Sequence, residues 1–449
     1  MRVSTIVSIF CQLLSATACL TEEELRGVHS HHPQTGRLYA RQRGPPTNRT
    51  DAGTIPIAVG DRFKNGTVAP RGIGSQRSAN FSTIYNVAEI QSGTRALVRE
   101  FGLEYFETPY KTHEGATMYG FKVAANGSSV AGHKVLLEAG IHARERGGPD
   151  HLLNFLADLL WAGREGSGLV YGGVTYSAAE VRTALSVGIV VLPLVNPDGV
   201  AYDHATNACW RKNRNPASAR PNSTASVGID LNRNFEAGWN FTKSMAPTFL
   251  NWTVSDNPAT EVYHGTAPLS EPEAKNIDWT MGQMPGLRWF LDLHSYSGLM
   301  LYGWGHDTNQ VKDASMNLLN PAFDGKRGII PDDIDRGYVY GEYYERDQYE
   351  MAILTASNVV DSMTASTGRT FTAQMSVALY PATGAASDQA KYRTLQDPAK
   401  WANGFTLEFG TSNNNAKCEF YPTERMHRLS MMETGAAFME FLLAAARFS

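Results

Sequence analysis

The sequence predicts an α/β fold: a single large domain in which a mixed, mostly parallel, twisted sheet is flanked by helices. Three observations carry this expectation. Short apolar runs of Val, Ile, Leu and Phe recur along the chain, each of a length that suits a buried strand. They alternate with longer stretches of helical spacing, as chains built from βα units do. No internal repeat breaks the alternation. With 449 residues, 42% hydrophobic and 19% charged, the chain has the length and balance of a large globular domain.

Taken in order, the first residues read as a secretory signal over 1–18. Arg2 is the charged start, 3–14 an apolar core, and Ala16-Thr17-Ala18 a small-residue cleavage site. That core is too short to span a bilayer, and no later stretch is expected to span one. Residues 19–79 carry "HSHHPQTGRLYARQRGPPTNRTDAGT" and read as a disordered leader or short propeptide, with His29, His31 and His32 in a solvated polar tract. The folded domain is expected over 80–449. It opens with the helical spacing of "STIYNVAEIQSGTRALVREF". Strands are expected at 134–139, 187–195, 287–293 and 405–409, and helices at 149–161 and 423–447. Pro149 suits a first helical turn. The aromatic, sequon-bearing stretch 235–263 is read as surface excursions.

The formal charge of −4 gives no basic stripe for nucleic acid. Seven N-x-S/T sequons, at Asn48, Asn65, Asn80, Asn126, Asn222, Asn240 and Asn251, favour a secreted glycoprotein. Cys11 leaves with the signal, and Cys19 lies just past it. Cys209 and Cys418 remain, as one disulfide or as two buried thiols.

In an open α/β sheet, functional groups gather beyond the carboxyl ends of strands. His142 and Glu145 follow the 134–139 run, Asn196-Pro197-Asp198-Gly199 follows 187–195, His294 follows 287–293, and Glu408 ends "GFTLEF". Two histidines and a glutamate form a hydrolytic zinc set with an open fourth position. Such a metal brings the pKa of its water towards about 7, and a separate carboxylate must take the proton. His142, Glu145 and His294 are the candidate ligands and Glu408 the candidate base. Alone, H-x-x-E is weak, because a histidine after a strand is more often structural.

The companion motifs decide the matter. "GIHARE" (140–145), "VNPDG" (195–199), "WRKNR" (210–214), "GIDLNRNF" (228–235), "LDLHSYSGLMLYGWG" (291–305), "LYPATGAASD" (379–388) and "FTLEF" (405–409) occur in this order. The chain after Asn80 thereby resembles the metallocarboxypeptidases of the pancreatic carboxypeptidase A type. The resemblance implies one Zn²⁺ held by His142, Glu145 and His294, with Asp230 orienting the first histidine. It implies that Glu408 is the general base and acid, and that Arg211 stabilises the oxyanion. Asn232 and Arg233 would grip the terminal carboxylate of a peptide, since a guanidinium fork matches a planar carboxylate. Tyr380 would close over that carboxylate, and Arg144 would contact the peptide upstream. No role follows for Arg146, which is read as solvated or ion-paired.

The pocket for the terminal side chain is expected at Gly305, Ala382, Ser387 and Thr406. None is charged, so apolar or aromatic C-terminal residues are expected. Asp388, next to Ser387, matches a family aspartate outside this role. If the motifs beside Cys209 and Cys418 line one funnel, the two sulfurs meet as a disulfide. The chain departs from the family where Phe409-Gly410-Thr411 replaces Leu-Arg-Asp, and its polar leader is too short for a folded inhibitory prodomain. The resemblance thus implies a secreted, monomeric exopeptidase acting on peptide or protein C-termini, with no nucleic acid and no membrane as partner. Two alternatives are a zinc deacylase or amidohydrolase on the same fold, and a non-catalytic peptide-binding relative.

Overall fold

A central sheet of eight strands organises the protein, in a computed structural model that describes residues 53–75, 81–124, 132–249 and 253–448. The signal at 1–18, the histidines 29, 31 and 32, and the sequons at 48, 80, 126 and 251 lie outside the described residues.

In chain order the strands are β1 (Glu104–Lys111), β2 (Thr117–Val123), β3 (Val135–Ala139), β4 (Leu169–Tyr171), β5 (Val174–Tyr176), β6 (Ile189–Leu192), β7 (Trp289–Ser295), β8 (Leu299–Tyr302), β9 (Asn309–Gln310), β10 (Glu342–Tyr343), β11 (Thr372–Met375) and β12 (Asn403–Phe409). The main sheet runs β1-β2-β6-β3-β7-β12-β8-β11. Its centre, β6-β3-β7-β12, is parallel, and so is the β8–β11 edge. The β1–β2, β2–β6 and β12–β8 pairs are antiparallel. The sheet is therefore mixed with a parallel middle, as expected.

The longer helices are α1 (Val87–Phe101), α2 (Gly148–Glu165), α3 (Ala178–Leu185), α4 (Pro197–Thr206), α5 (Pro272–Gly282), α6 (Arg346–Thr367), α7 (Ala386–Gln396) and α8 (Glu424–Phe448). Local chemistry sets their starts. Asn86 and Ser177 make capping boxes with Glu89 and Glu180 at α1 and α3. Pro149 sits in the first turn of α2, as its lack of an N–H allows.

Both faces of the parallel centre are covered. Val135, Leu137 and Ala139 of β3 and Leu291 and Leu293 of β7 pack in one core with α2, α3, α6 and α8. Leu136, Val190 and Phe290 enter a second core with Ala274, Ile277 and Met281 of α5 and Ala386 and Ala390 of α7. Burial on both faces explains why these strands read as largely apolar runs.

Three expectations are corrected. Residues 53–75 do not behave as a polar leader. Ile55 and Phe63 are buried, Arg62 pairs with Glu89, and the Gly74 N–H donates to Asp158 Oδ2 at 2.6 Å. The backbone of this segment supplies hydrogen bonds that its polar composition hides. The stretch 235–263 is not only surface: Phe235, Phe241, Met245 and Val254 are buried, the last three in a small core of their own. Finally, α8 is long and apolar enough to cross a membrane, against the expectation that nothing downstream of the signal is. Its apolar window is 72% buried, because α8 packs against α2, α3 and α6.

Candidate metal and catalytic site

The site grows from one face of the central strands as it approaches their carboxyl ends. Along β7 that face reads Phe290, Asp292, His294; along β3 it reads Leu136, Glu138; along β12, Thr406, Glu408. These residues stay aligned because Glu138 is paired in register with Asp292, Thr406 with Asp292, and Glu408 with His294. The face thus turns from apolar to ionisable within two residues.

Beyond β3, Gly140 takes φ +78, where a Cβ would come within 2.9 Å of Leu194. The turn brings His142 and Glu145 back over the strand ends. Ala143 N–H donates to Arg211 O, and Asn196 Nδ2 donates to both Ile141 O and Lys212 O. Asn196 of the "NPDG" motif therefore ties three loops together, and its side chain also caps α4.

His142, Glu145 and His294 converge, all buried, with candidate ligand atoms within 4.8 Å of one another. His142 Nδ1 lies 2.7 Å from Glu145 Oε1, and His294 Nδ1 lies 3.0 Å from Glu145 Oε2. Burial opposes ionisation of Glu145, but the two imidazoles hold its carboxyl well below the usual range. Two imidazole nitrogens and a carboxylate oxygen facing one point are a donor set that fits Zn²⁺.

Asp230 organises much of the surroundings. Its Oδ1 lies 3.1 Å from His142 Nε2, and its Oδ2 accepts from Arg211 Nε at 3.0 Å and Nη2 at 2.8 Å. It also caps the short turn Leu231–Arg233 by accepting the Asn232 N–H. Burial disfavours its charge, yet Arg211 and His142 keep it ionised far below the ordinary carboxylate range. Arg211, itself buried, reaches within 3.9 Å of Glu145 Oε1 through Nη1.

The turn capped by Asp230 presents Asn232 and Arg233. Asn232 Nδ2 is 3.4 Å from His294 Nε2, and its Oδ1 accepts from Ala386 N–H. Arg233 is fixed by the carbonyls of Thr253 and Asn232, and its buried Nη2 has no hydrogen-bond partner among the described residues. Its guanidinium lies 5.9 Å from the centre of the Tyr380 ring. Glu408 is fully buried, beside His294. The residues singled out at the pocket also adjoin: Thr406 Oγ1 is 3.4 Å from Ser387 Oγ, and Ala382 N–H donates to Gly305 O.

Arg144 forms an ion pair with Glu261 at 3.6 Å and stacks over Phe420. Arg146 is ion-paired and buried rather than solvated. It bonds Asp203 and Asn207 and lies 3.4 Å from the centre of the Tyr421 ring. Tyr421 in turn donates to Asp203 and accepts the Cys209 N–H. Cys209 and Cys418 are joined in a disulfide, with Cα atoms 5.5 Å apart. Its neighbours Tyr296, Phe420 and Tyr421 form a small apolar cluster.

Sequence reasoning missed Asp292, whose Oδ2 lies 2.6 Å from His294 Nε2. The signal was present as D-x-H within one apolar run: in a strand those two residues share a face.

Comparison with known proteins identifies the family. The zinc carboxypeptidase family profile matches residues 108–434. The chain belongs to the zinc carboxypeptidase family. It is 34% identical over 204 residues to carboxypeptidase A4 of Mus musculus, and 35% identical over 203 residues to carboxypeptidase B of Bos taurus. Each match covers 45% of this chain and 42% of the relative, so it spans under half the relative's length. Among solved structures, thrombin activatable fibrinolysis inhibitor superposes with TM-score 0.59 at 21% identity, covering 86% of this chain and 79% of that one. Carboxypeptidase A of Helicoverpa armigera gives 0.56 at 20% identity, covering 84% and 77%. At those identities the superpositions establish the zinc carboxypeptidase fold.

Proposed function

We propose that this protein is a secreted, zinc-dependent exopeptidase that removes single residues from the C-termini of peptides and proteins. The observation that carries the reading is Arg233: a buried guanidinium with Nη2 unpartnered among the described residues, one residue from Asn232 beside His294. A buried cationic donor without a partner is costly unless a ligand supplies the acceptor. A peptide's terminal carboxylate is the acceptor of matching shape and charge.

In this reading His142, Glu145 and His294 hold Zn²⁺, which when bound supplies an acidified water and polarises the scissile carbonyl. Arg233 and Asn232 fix the terminal carboxylate, and Tyr380 closes over it. Glu408 takes a proton from the attacking water and returns it to the leaving amine. Arg211, preorganised by two bonds to Asp230, faces the developing oxyanion. Asp230 keeps His142 and Arg211 in place, and Arg144 meets the peptide upstream.

Apolar or aromatic C-terminal residues are the proposed preference. Leu299, Leu301, Leu379 and Ala382 cluster around Tyr380. Asp388 is nearby, but its two oxygens accept the Gly305 N–H, and burial pushes its pKa up to about 6. Secretion rests on the signal and the sequons; of the latter, Asn65, Asn222 and Asn240 are described and exposed.

The test is a peptide with a free C-terminus and its C-amidated twin, each with and without a chelator. Chelator-sensitive release of single residues from the free acid alone is expected. Equal release from both peptides would instead indicate a deacylase or amidohydrolase, and capture without release a non-catalytic binder.

A further inference from the structure

We propose that Asp292 is the positioning residue for the second metal-binding imidazole, so that both histidines of the site are held by buried carboxylates. The inference rests on the zinc reading above and goes beyond it, since the family motifs assign such a partner only to His142.

The geometry is similar at the two histidines, with Asn232 Nδ2 as a further, longer contact of His294 Nε2 at 3.4 Å. Each turns Nδ1 towards Glu145, at 2.7 Å for His142 and 3.0 Å for His294. Each turns Nε2 towards a carboxylate: Asp230 for His142 at 3.1 Å, and Asp292 for His294 at 2.6 Å. A carboxylate at the far nitrogen fixes that nitrogen as the donor, leaves the near nitrogen's lone pair for the metal, and locks the ring's rotation.

No backbone cap or ion pair with an arginine or lysine competes for Asp292 among the described residues. Asp292 is fully buried on β7, and its other oxygen, Oδ1, has no hydrogen-bond partner among the described residues. The residue paired with it on β3 is Glu138, also buried, and neither of its carboxyl oxygens has a hydrogen-bond partner among the described residues. A carboxylate that packs against another acid and caps no backbone group contributes nothing to stability by itself. Among the described residues its one side-chain hydrogen bond is to the histidine. Asp230 differs, because it also holds Arg211 and caps a turn. Asp292 acts on the metal ligand alone.

The test uses the full-length protein stripped with a chelator and titrated with Zn²⁺ against a chromophoric competitor. Wild type is compared with Asp292→Ala and Asp292→Asn, and each apoprotein's thermal transition reports folding. Loss of the carboxylate is expected to weaken zinc binding about 10- to 100-fold. Asn keeps an acceptor oxygen without the charge, so its affinity should fall between Ala and wild type. The visible bands of the Co²⁺-substituted protein should shift in the same order. A merely structural Asp292 would lower the apoprotein's transition and leave affinity and bands unchanged. Wild-type zinc affinity in folded Asp292→Asn overturns the proposal, and this holds even where Asp292→Ala fails to fold. If wild type itself binds no zinc, the site reading fails instead, so the two failures are distinct.

Discussion

In the proposed reaction Glu408 and Arg233 make separable demands on the chemistry. Glu408→Gln keeps shape and burial but cannot take a proton. It should retain one zinc per chain by metal analysis while kcat falls about 100- to 10,000-fold. Arg233→Ala removes the guanidinium proposed to hold the terminal carboxylate. It should lower kcat/KM for free-acid peptides about 100-fold, the worth of a charge-assisted pair, with zinc content unchanged. Equal kcat/KM in wild type and Arg233→Ala would refute the carboxylate grip. Arg146 teaches a different lesson. The sequence offers it no role, because its partners Asp203, Asn207 and Tyr421 lie far along the chain.

Between elements, α2 meets α8 through a buried polar contact. His151 Nε2 of α2 lies 3.2 Å from His427 Nδ1 of α8. Burial, and then Arg62 and Arg428, push His427 down to about 3, and burial with His427 lowers His151 well below its usual value. The unfolded chain binds a proton at each imidazole below about pH 6.5, while the folded chain does not. Stability is therefore present above pH 6.5 and is lost as pH falls towards 3. Asp150 works in the opposite sense, since burial raises it to about 8 and the folded chain keeps its proton. His427→Gln should make the acid limb shallower by about one proton, near 1.4 kcal/mol per pH unit, in urea melts from pH 6.5 to 4. The Cys209–Cys418 bond links the loop after α4 to the segment after β12. Replacing both cysteines with serine should cost about 2–4 kcal/mol in the same melts. Elements buried on both sides were legible, as with β3, β7 and β12, because their runs are mostly apolar and lack strict polar alternation. β1 was not, because most of it is half-buried or exposed and its residues Glu104, Glu107 and Lys111 break the run.

For the whole molecule, a zinc ion that binds only the folded chain raises its stability, by about 2.7 kcal/mol at a hundredfold excess over Kd. Stripping the metal should lower the thermal transition and adding Zn²⁺ should restore it, as calorimetry would show; an unchanged transition would argue against the site. The sequence by itself determined the α/β class and the ordered motifs, and offered His142, Glu145, His294, Asp230 and Glu408 as candidate site residues. All but Asp230, which only the family resemblance implies, follow from local pattern: apolar runs mark strands, and polar residues where runs end mark the functional edge. Tertiary structure alone decided that residues 53–75 belong to the domain, that α8 is a core helix and not a membrane span, and that Asp292 faces His294 with Glu138 behind it. Burial and hydrogen-bond partnership are relations between distant segments, and composition within a single segment does not contain them.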